Sequence, residues 1–129
     1  MLKLMIVDDS ALIRRRITRE LDKKKFSLVA TAVNGEEAIA FFSKHRPQVI
    51  TMDLTMPNID GIECIERIME LDEDVQILVV SALSDQSIGM EALEKGASGF
   101  LIKPFTEDQI SNALNIISED LQVSAGAST

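Results

Sequence analysis

Tryptophan and tyrosine are absent from this chain of 129 residues, and cysteine and histidine occur once each. Each shortage narrows the reading. Without Trp or Tyr, a flavin site would lack its usual stacking residues. Cys64 alone cannot close an internal disulfide, which fits a reducing cytoplasm. His45 lies near a predicted helix end with no Cys or His partner close in sequence, so it reads as a surface residue rather than a metal ligand. Positive charge is also scarce. Lys and Arg number 13 against 21 acids, for a net charge of −8. A nucleic-acid surface needs a basic patch to neutralise phosphates, and this balance argues against one. Lys23-Lys24-Lys25 read as a solvated helix end, and Arg14-Arg15-Arg16 as the outer face of a helix. No apolar run approaches membrane-spanning length. Met1-Leu2-Lys3 enter a strand directly, without a signal-peptide layout, so the expected location is the cytoplasm, with no membrane association. A Gly-rich dinucleotide fingerprint, a P-loop and a serine elbow are all missing.

What is present is a regular alternation. Short apolar runs at Lys3–Val7, Ser27–Val33, Val49–Asp53, Val75–Ser81 and Gly99–Ile102 read as strands. Between them lie amphipathic helical patterns. Ile13, Ile17 and Leu21 line the first, after Ser10. Ala38, Phe41 and Phe42 line the second, which opens on Asn34 with Glu37 three residues on and stops before Pro47. Ile62, Ile65, Ile68 and Met69 form the third. Ile88, Ala92 and Leu93 mark a weaker fourth, ended by Gly96. Ile110, Ala113, Leu114, Ile117 and Leu121 form the fifth, behind a Thr106–Gln109 capping box. Ser124 to Thr129 look frayed. Five βα units with short connections predict one α/β domain with a parallel sheet covered on both faces. The domain is expected over residues 1–122, with a tail at 123–129.

Polar residues stand where the strands end: Asp8-Asp9, Asp53, Ser81 and Lys103. Open α/β sheets bind ligands beyond the carboxyl ends of their strands. The intervals leave room for two βα units between Asp9 and Asp53 and one each to Ser81 and Lys103, so all fall on one rim. Three carboxylates repel unless a cation joins them, which points Asp8 and Asp9 to Mg²⁺, a cation that takes oxygen ligands. Ser81 and Lys103 then point to an anion beside the metal. Asp53, ending a buried strand, is the candidate nucleophile: a carboxylate can attack a phosphoryl group and form an acyl phosphate. Singly, each Asp or Ser reads as a helix cap or turn former and Lys103 as a solvated charge. Unrelated caps have no reason to share one rim with this complement of charges.

The motifs Val7-Asp8-Asp9-Ser10, Met52-Asp53-Leu54-Thr55-Met56-Pro57, Asp60-Gly61, Ser81-Ala82 and Lys103-Pro104-Phe105 resemble the receiver domain of bacterial two-component response regulators. The likeness runs from about Leu2 to Leu121 and is greatest to single-domain chemotaxis regulators. The run from Asp8 to Arg14 also resembles receivers of chemotaxis methylesterases. The resemblance implies a (βα)5 flavodoxin-like sheet in strand order 2-1-3-4-5. It implies that Asp53 takes a phosphoryl group from a histidine of a sensor histidine kinase. Asp9, Asp53 and the backbone carbonyl of Thr55 would ligate Mg²⁺ directly, Asp8 mainly through water, with Mn²⁺ able to substitute. Ser81 and Lys103 would bind the phosphoryl group. A cis peptide is expected at Lys103-Pro104. Ser81 and Phe100 would form the switch, and a downstream effector would bind the face of helix 4, strand 5 and helix 5. The active form would be a monomer or a phosphorylation-dependent dimer. Such a chain is a switch with self-directed phosphotransfer and autodephosphorylation, not a turnover enzyme.

Two residues depart from the commonest family pattern: Ser81 stands for Thr, and Phe100 for Tyr. Leu83 puts apolar bulk two residues after the switch serine. It is expected to hinder the hydrolytic water, and Leu83→Glu to shorten the phosphoryl lifetime; an unchanged dephosphorylation rate would refute that role. Two other readings use the same residues. A phosphorylation-independent interaction module would more naturally have lost one of them. A metal-dependent phosphatase of the haloacid-dehalogenase type needs Asp-x-Asp at the first strand end, whereas Asp8 and Asp9 are adjacent.

Overall fold

The computed structural model describes residues 1–55, 60–82 and 86–127. Met56, Pro57, Leu83 and the end of the tail, Ser128-Thr129, lie outside the described residues. The element order is β1 (Leu2–Val7), α1 (Ala11–Glu20), β2 (Phe26–Ala32), α2 (Gly35–His45), β3 (Val49–Met52), α3 (Gly61–Leu71), β4 (Gln76–Ser81), α4 (Gln86–Glu94), β5 (Gly99–Ile102) and α5 (Glu107–Ala127). All strand pairings are parallel, in the order β2-β1-β3-β4-β5. This is the flavodoxin-like order that the resemblance implies. α5 runs past Leu121 to Ala127, into the stretch that the sequence reads as tail; Gly126 is the first helix-weakening residue there, and it sits at the very end.

The sheet's period of two sorts its apolar side chains into two cores. Met5 and Val7 of β1 and Ile77 and Val79 of β4 face Ala38 and Phe42 of α2, Cys64, Ile65 and Ile68 of α3, and Ala92 of α4. Their neighbours Leu4, Ile6, Leu78 and Val80 face the other way, against Ile17 of α1 and Ile110, Leu114 and Ile117 of α5. Apolar burial on both faces explains why these strands are near-continuous hydrophobic runs.

Caps fix where the helices begin. Ser10 accepts from the Ile13 N–H, Asn34 from Glu37 and Asp60 from Glu63. Thr106 and Gln109 make the reciprocal pair expected of a capping box: each side chain accepts the other's backbone N–H, at 2.8 and 3.1 Å. Glu37 differs from expectation. Its carboxylate accepts the Val33 N–H at 3.0 Å, one residue before the cap. α4 ends in a Schellman motif, with Ala97 N–H on the Ala92 carbonyl, Gly96 N–H on that of Leu93, and Gly96 at φ +121°.

Candidate functional site

Backbone ladders carry the predicted residues to one rim. Asp8 N–H donates to the Ala32 carbonyl at 3.0 Å, Asp53 N–H to Val7 at 2.9 Å, and Lys103 N–H to Ser81 at 2.9 Å. Each side chain at the rim therefore leaves from the end of a strand whose neighbour also ends there. Asp8, Asp9 and Asp53 present carboxylate oxygens that all lie within 4.8 Å of one another. Asp8 and Asp53 are buried and Asp9 is exposed. Ser81, the last residue of β4, is fully buried.

Lys103 reaches back into this group. Its Nζ donates to Asp8 Oδ2 at 2.7 Å and stands 3.6 Å from Asp53 Oδ2. The Lys103-Pro104 peptide is cis. Asp8 is fully engaged: Oδ1 accepts the Ser10 N–H at 2.9 Å while Oδ2 holds the ammonium. Asp53 Oδ1 accepts both the N–H and the hydroxyl of Thr55, each at 3.1 Å. Phe100 is half-buried on the α4 side of β5. Its ring lies 3.4–3.8 Å from the point where a side chain on Gly89 would begin.

Burial is the leading cause that pushes the Asp8 carboxyl above its ordinary value; Lys103 and the Ser10 N–H oppose it, and the Asp53 charge adds to it. Three acids against one ammonium leave the cluster net negative. Desolvated carboxylates of this kind suit a hard divalent cation with oxygen ligands, and exposed Asp9 leaves the cluster open to solvent on one side. Without metal, that charge weighs on the fold. In chelator, Asp8→Asn is therefore expected to stabilise the protein by about 1 kcal/mol at neutral pH. A raised carboxylate pKa makes ionisation cost stability. The cost is present above the raised value and vanishes as pH falls to the ordinary 3.8. The gain in Asp8→Asn should fade over the same interval. Urea unfolding at several pH values checks this, and a destabilised variant at neutral pH would contradict it.

Two arginines correct the sequence reading. Only Arg15 of the Arg14-Arg15-Arg16 run is exposed; Arg14 and Arg16 are half-buried. Arg14 Nη1 donates to the Asp8 carbonyl at 2.7 Å. Arg16 Nη2 donates to the Phe105 carbonyl at 3.0 Å, and its guanidinium lies 4.9 Å from the centre of the Phe105 ring. The pair ties α1 to the Asp8 loop and to the loop behind Lys103. Helical periodicity could not signal this, because the partners are carbonyls. The Thr55 side chain and Gly61 are further site residues whose contacts were not foreseen. A Cβ on Gly61 would stand 2.5 Å from Leu54 Cα and 2.8 Å from the Asp53 carbonyl oxygen.

The response regulator receiver domain profile matches residues 4–115. The chain belongs to that family. It is 39% identical to the chemotaxis protein CheY of Bacillus subtilis over 113 residues, which span 88% of this chain and 94% of that protein. Among solved structures it resembles CheY in the CheX–CheY–BeF3–Mg²⁺ complex of Borrelia burgdorferi, with a TM-score of 0.85 and 31% identity over 90% of this chain and 88% of that one. It also resembles the response regulator domain of Thermotoga maritima CheB, with a TM-score of 0.82 and 32% identity over 93% of this chain and 95% of that one. The general work of such domains is that of a phosphorylation switch.

Proposed function

We propose that this protein is a Mg²⁺-dependent phosphoacceptor switch in which Asp53 takes a phosphoryl group from a phosphohistidine of a sensor kinase. The observation that carries the reading is the convergence of Asp8, Asp9 and Asp53 within 4.8 Å, with the Lys103 ammonium among them. An Asp53 oxygen forms the new bond to phosphorus as the bond to the histidine nitrogen breaks, leaving an acyl phosphate. Such transfer is mostly positioning and charge stabilisation. Thr55 orients Asp53 through two hydrogen bonds to Oδ1. Lys103 steadies the phosphoryl oxygens, and the Ser81 hydroxyl donates to another. Asp9, Asp53 and the Thr55 carbonyl would hold Mg²⁺, or Mn²⁺ in its place. Asp8, whose oxygens already serve Ser10 and Lys103, would act through water. The bound cation neutralises charge on the phosphoryl group. The Borrelia CheY complex, which contains BeF3 and Mg²⁺ together, supports the pairing of metal and phosphoryl site.

The signal then passes through Ser81 to Phe100, and the face of α4, β5 and α5 changes its affinity for a downstream effector. This is a two-state element biased by new charge. Hydrolysis by the protein's own groups resets it. Likeness to CheY points to chemotaxis as the pathway. Among the described residues no helix is long and apolar enough to cross a membrane, which agrees with work in the cytoplasm.

Incubation with acetyl phosphate and Mg²⁺, followed by intact mass, tests the reading. One labile phosphoryl group is expected on the native chain and none on Asp53→Asn. Mg²⁺ binding without any labelling would favour an interaction module. Continuous phosphate release from many substrates would favour a phosphatase.

A further inference from the structure

The two ends of the chain carry opposite charge. Eleven of the 13 Lys and Arg residues precede residue 68, and none follows Lys103. α5 therefore has no basic residue, while Glu107, Asp108, Glu119 and Asp120 lie along it. Of the two later cations, Lys103 is turned into the rim and Lys95 stands 3.8 Å from Glu66 of α3. Along α4, β5 and α5, large apolar side chains are exposed: Met90 at 57%, Leu93 at 42%, Ile102 at 47% and Ile116 at 59%.

Periodicity gives the side of its element from which each of Leu93, Ile102 and Ile116 leaves. Gly89 faces the Phe100 ring, so Leu93, one turn on, shares that flank of α4. Ile102 follows Phe100 by two on β5 and leaves from the same side of the strand. On α5, Asn115 turns toward Lys25 near β2, at 3.2 Å. Ile116, about 100° further round the helix, and Asp120, one turn beyond it, fall on the opposite flank, toward β5. Exposed Glu94, next to Leu93 on α4, and exposed Asp120, one turn beyond Ile116 on α5, put carboxylates beside these apolar residues.

We infer that this edge takes a cationic amphipathic helix, with an apolar stripe flanked by Lys or Arg, and does not pair with a second copy of the chain. The inference rests on the proposed output face and names the chemistry of its partner. An amphipathic helix can lay its apolar stripe along separate exposed apolar anchors. Cations on its flanks meet carboxylates instead of solvent. A symmetric pair would set the same patch against itself, bringing acid against acid with no cation of its own to intervene.

The test uses the full chain, phosphorylated with acetyl phosphate and Mg²⁺, and two fluorescent peptides with the same leucine stripe. One has Lys and Arg on its flanks, the other Glu. Anisotropy should show the cationic peptide binding at least about tenfold more tightly, with the difference shrinking as salt rises. Ile116→Lys should weaken it about tenfold. Leu71→Lys, the same change at an exposed leucine at the end of α3, should leave it unchanged. Equal affinity for the two peptides, or equal loss in both variants, overturns the inference. So does a dimer in sedimentation that Ile116→Lys dissociates. Ile116→Lys should label with phosphate normally. The expected peptide pattern in a protein that takes up no phosphoryl group would support this edge and overturn the phosphoacceptor reading instead.

Discussion

Gly61→Ala is expected to destabilise the protein by about 2–3 kcal/mol and to slow phosphoryl uptake together with it. Gly61 opens α3 directly after its Asp60 cap, and its N–H donates to the Leu54 carbonyl at 3.2 Å. The new methyl would meet Leu54 Cα at 2.5 Å and the Asp53 carbonyl oxygen at 2.8 Å. Both are backbone atoms, so no side-chain rotation relieves the contact. Either α3 lifts away or the Asp53 segment moves. Alanine's helix preference over glycine opposes this by about 1 kcal/mol at most, and less in a first turn. Displacing a reacting carboxylate by about 1 Å can cost about a hundredfold in rate. Urea unfolding and a labelling time course read the two effects. A variant more stable than the native protein would show that the helix preference, not the contact, dominates.

Lys103→Met should slow labelling by acetyl phosphate at saturating Mg²⁺ by about a hundredfold, the scale seen when one charge-stabilising donor is removed from a reacting centre. Methionine keeps the length of the stem and removes the cation. In chelator the same change should cost about 3 kcal/mol of stability, because it leaves Asp8 and Asp53 buried without their ammonium. Mg²⁺ should return part of that stability by binding Asp53 directly and Asp8 through water. Two readouts thus separate the lysine's roles. If labelling keeps its rate while stability falls, Lys103 serves the fold alone.

The sequence disclosed most of the fold, and the reason lies in the strands. β1, β3 and β4 are buried on both sides over most of their length, so their apolar runs are nearly unbroken and their polar ends stand out. The rim was legible because strand ends in parallel sheets share one edge. Strand order came from resemblance, since spacing places βα units along the chain but does not order them across a sheet. Arg14 and Arg16 escaped because their partners are backbone carbonyls brought near by the fold; a run of three arginines on a helix otherwise reads as solvated. Gly61 escaped in the same way. Its motif was visible, yet the need for glycine comes from the closeness of the Asp53–Leu54 backbone. Thr55 was expected to offer its carbonyl, while its N–H and hydroxyl also hold Asp53.

The central claim is that the cluster exists to modify Asp53 itself. Borohydride reduces an acyl phosphate to an alcohol and leaves a free carboxylate unchanged. After acetyl phosphate and Mg²⁺, reduction and peptide mass mapping should find homoserine in place of Asp53, at that position alone, and none when Mg²⁺ is withheld. Reduction at Asp8 or Asp9, or no reduction in protein that binds Mg²⁺, would contradict it.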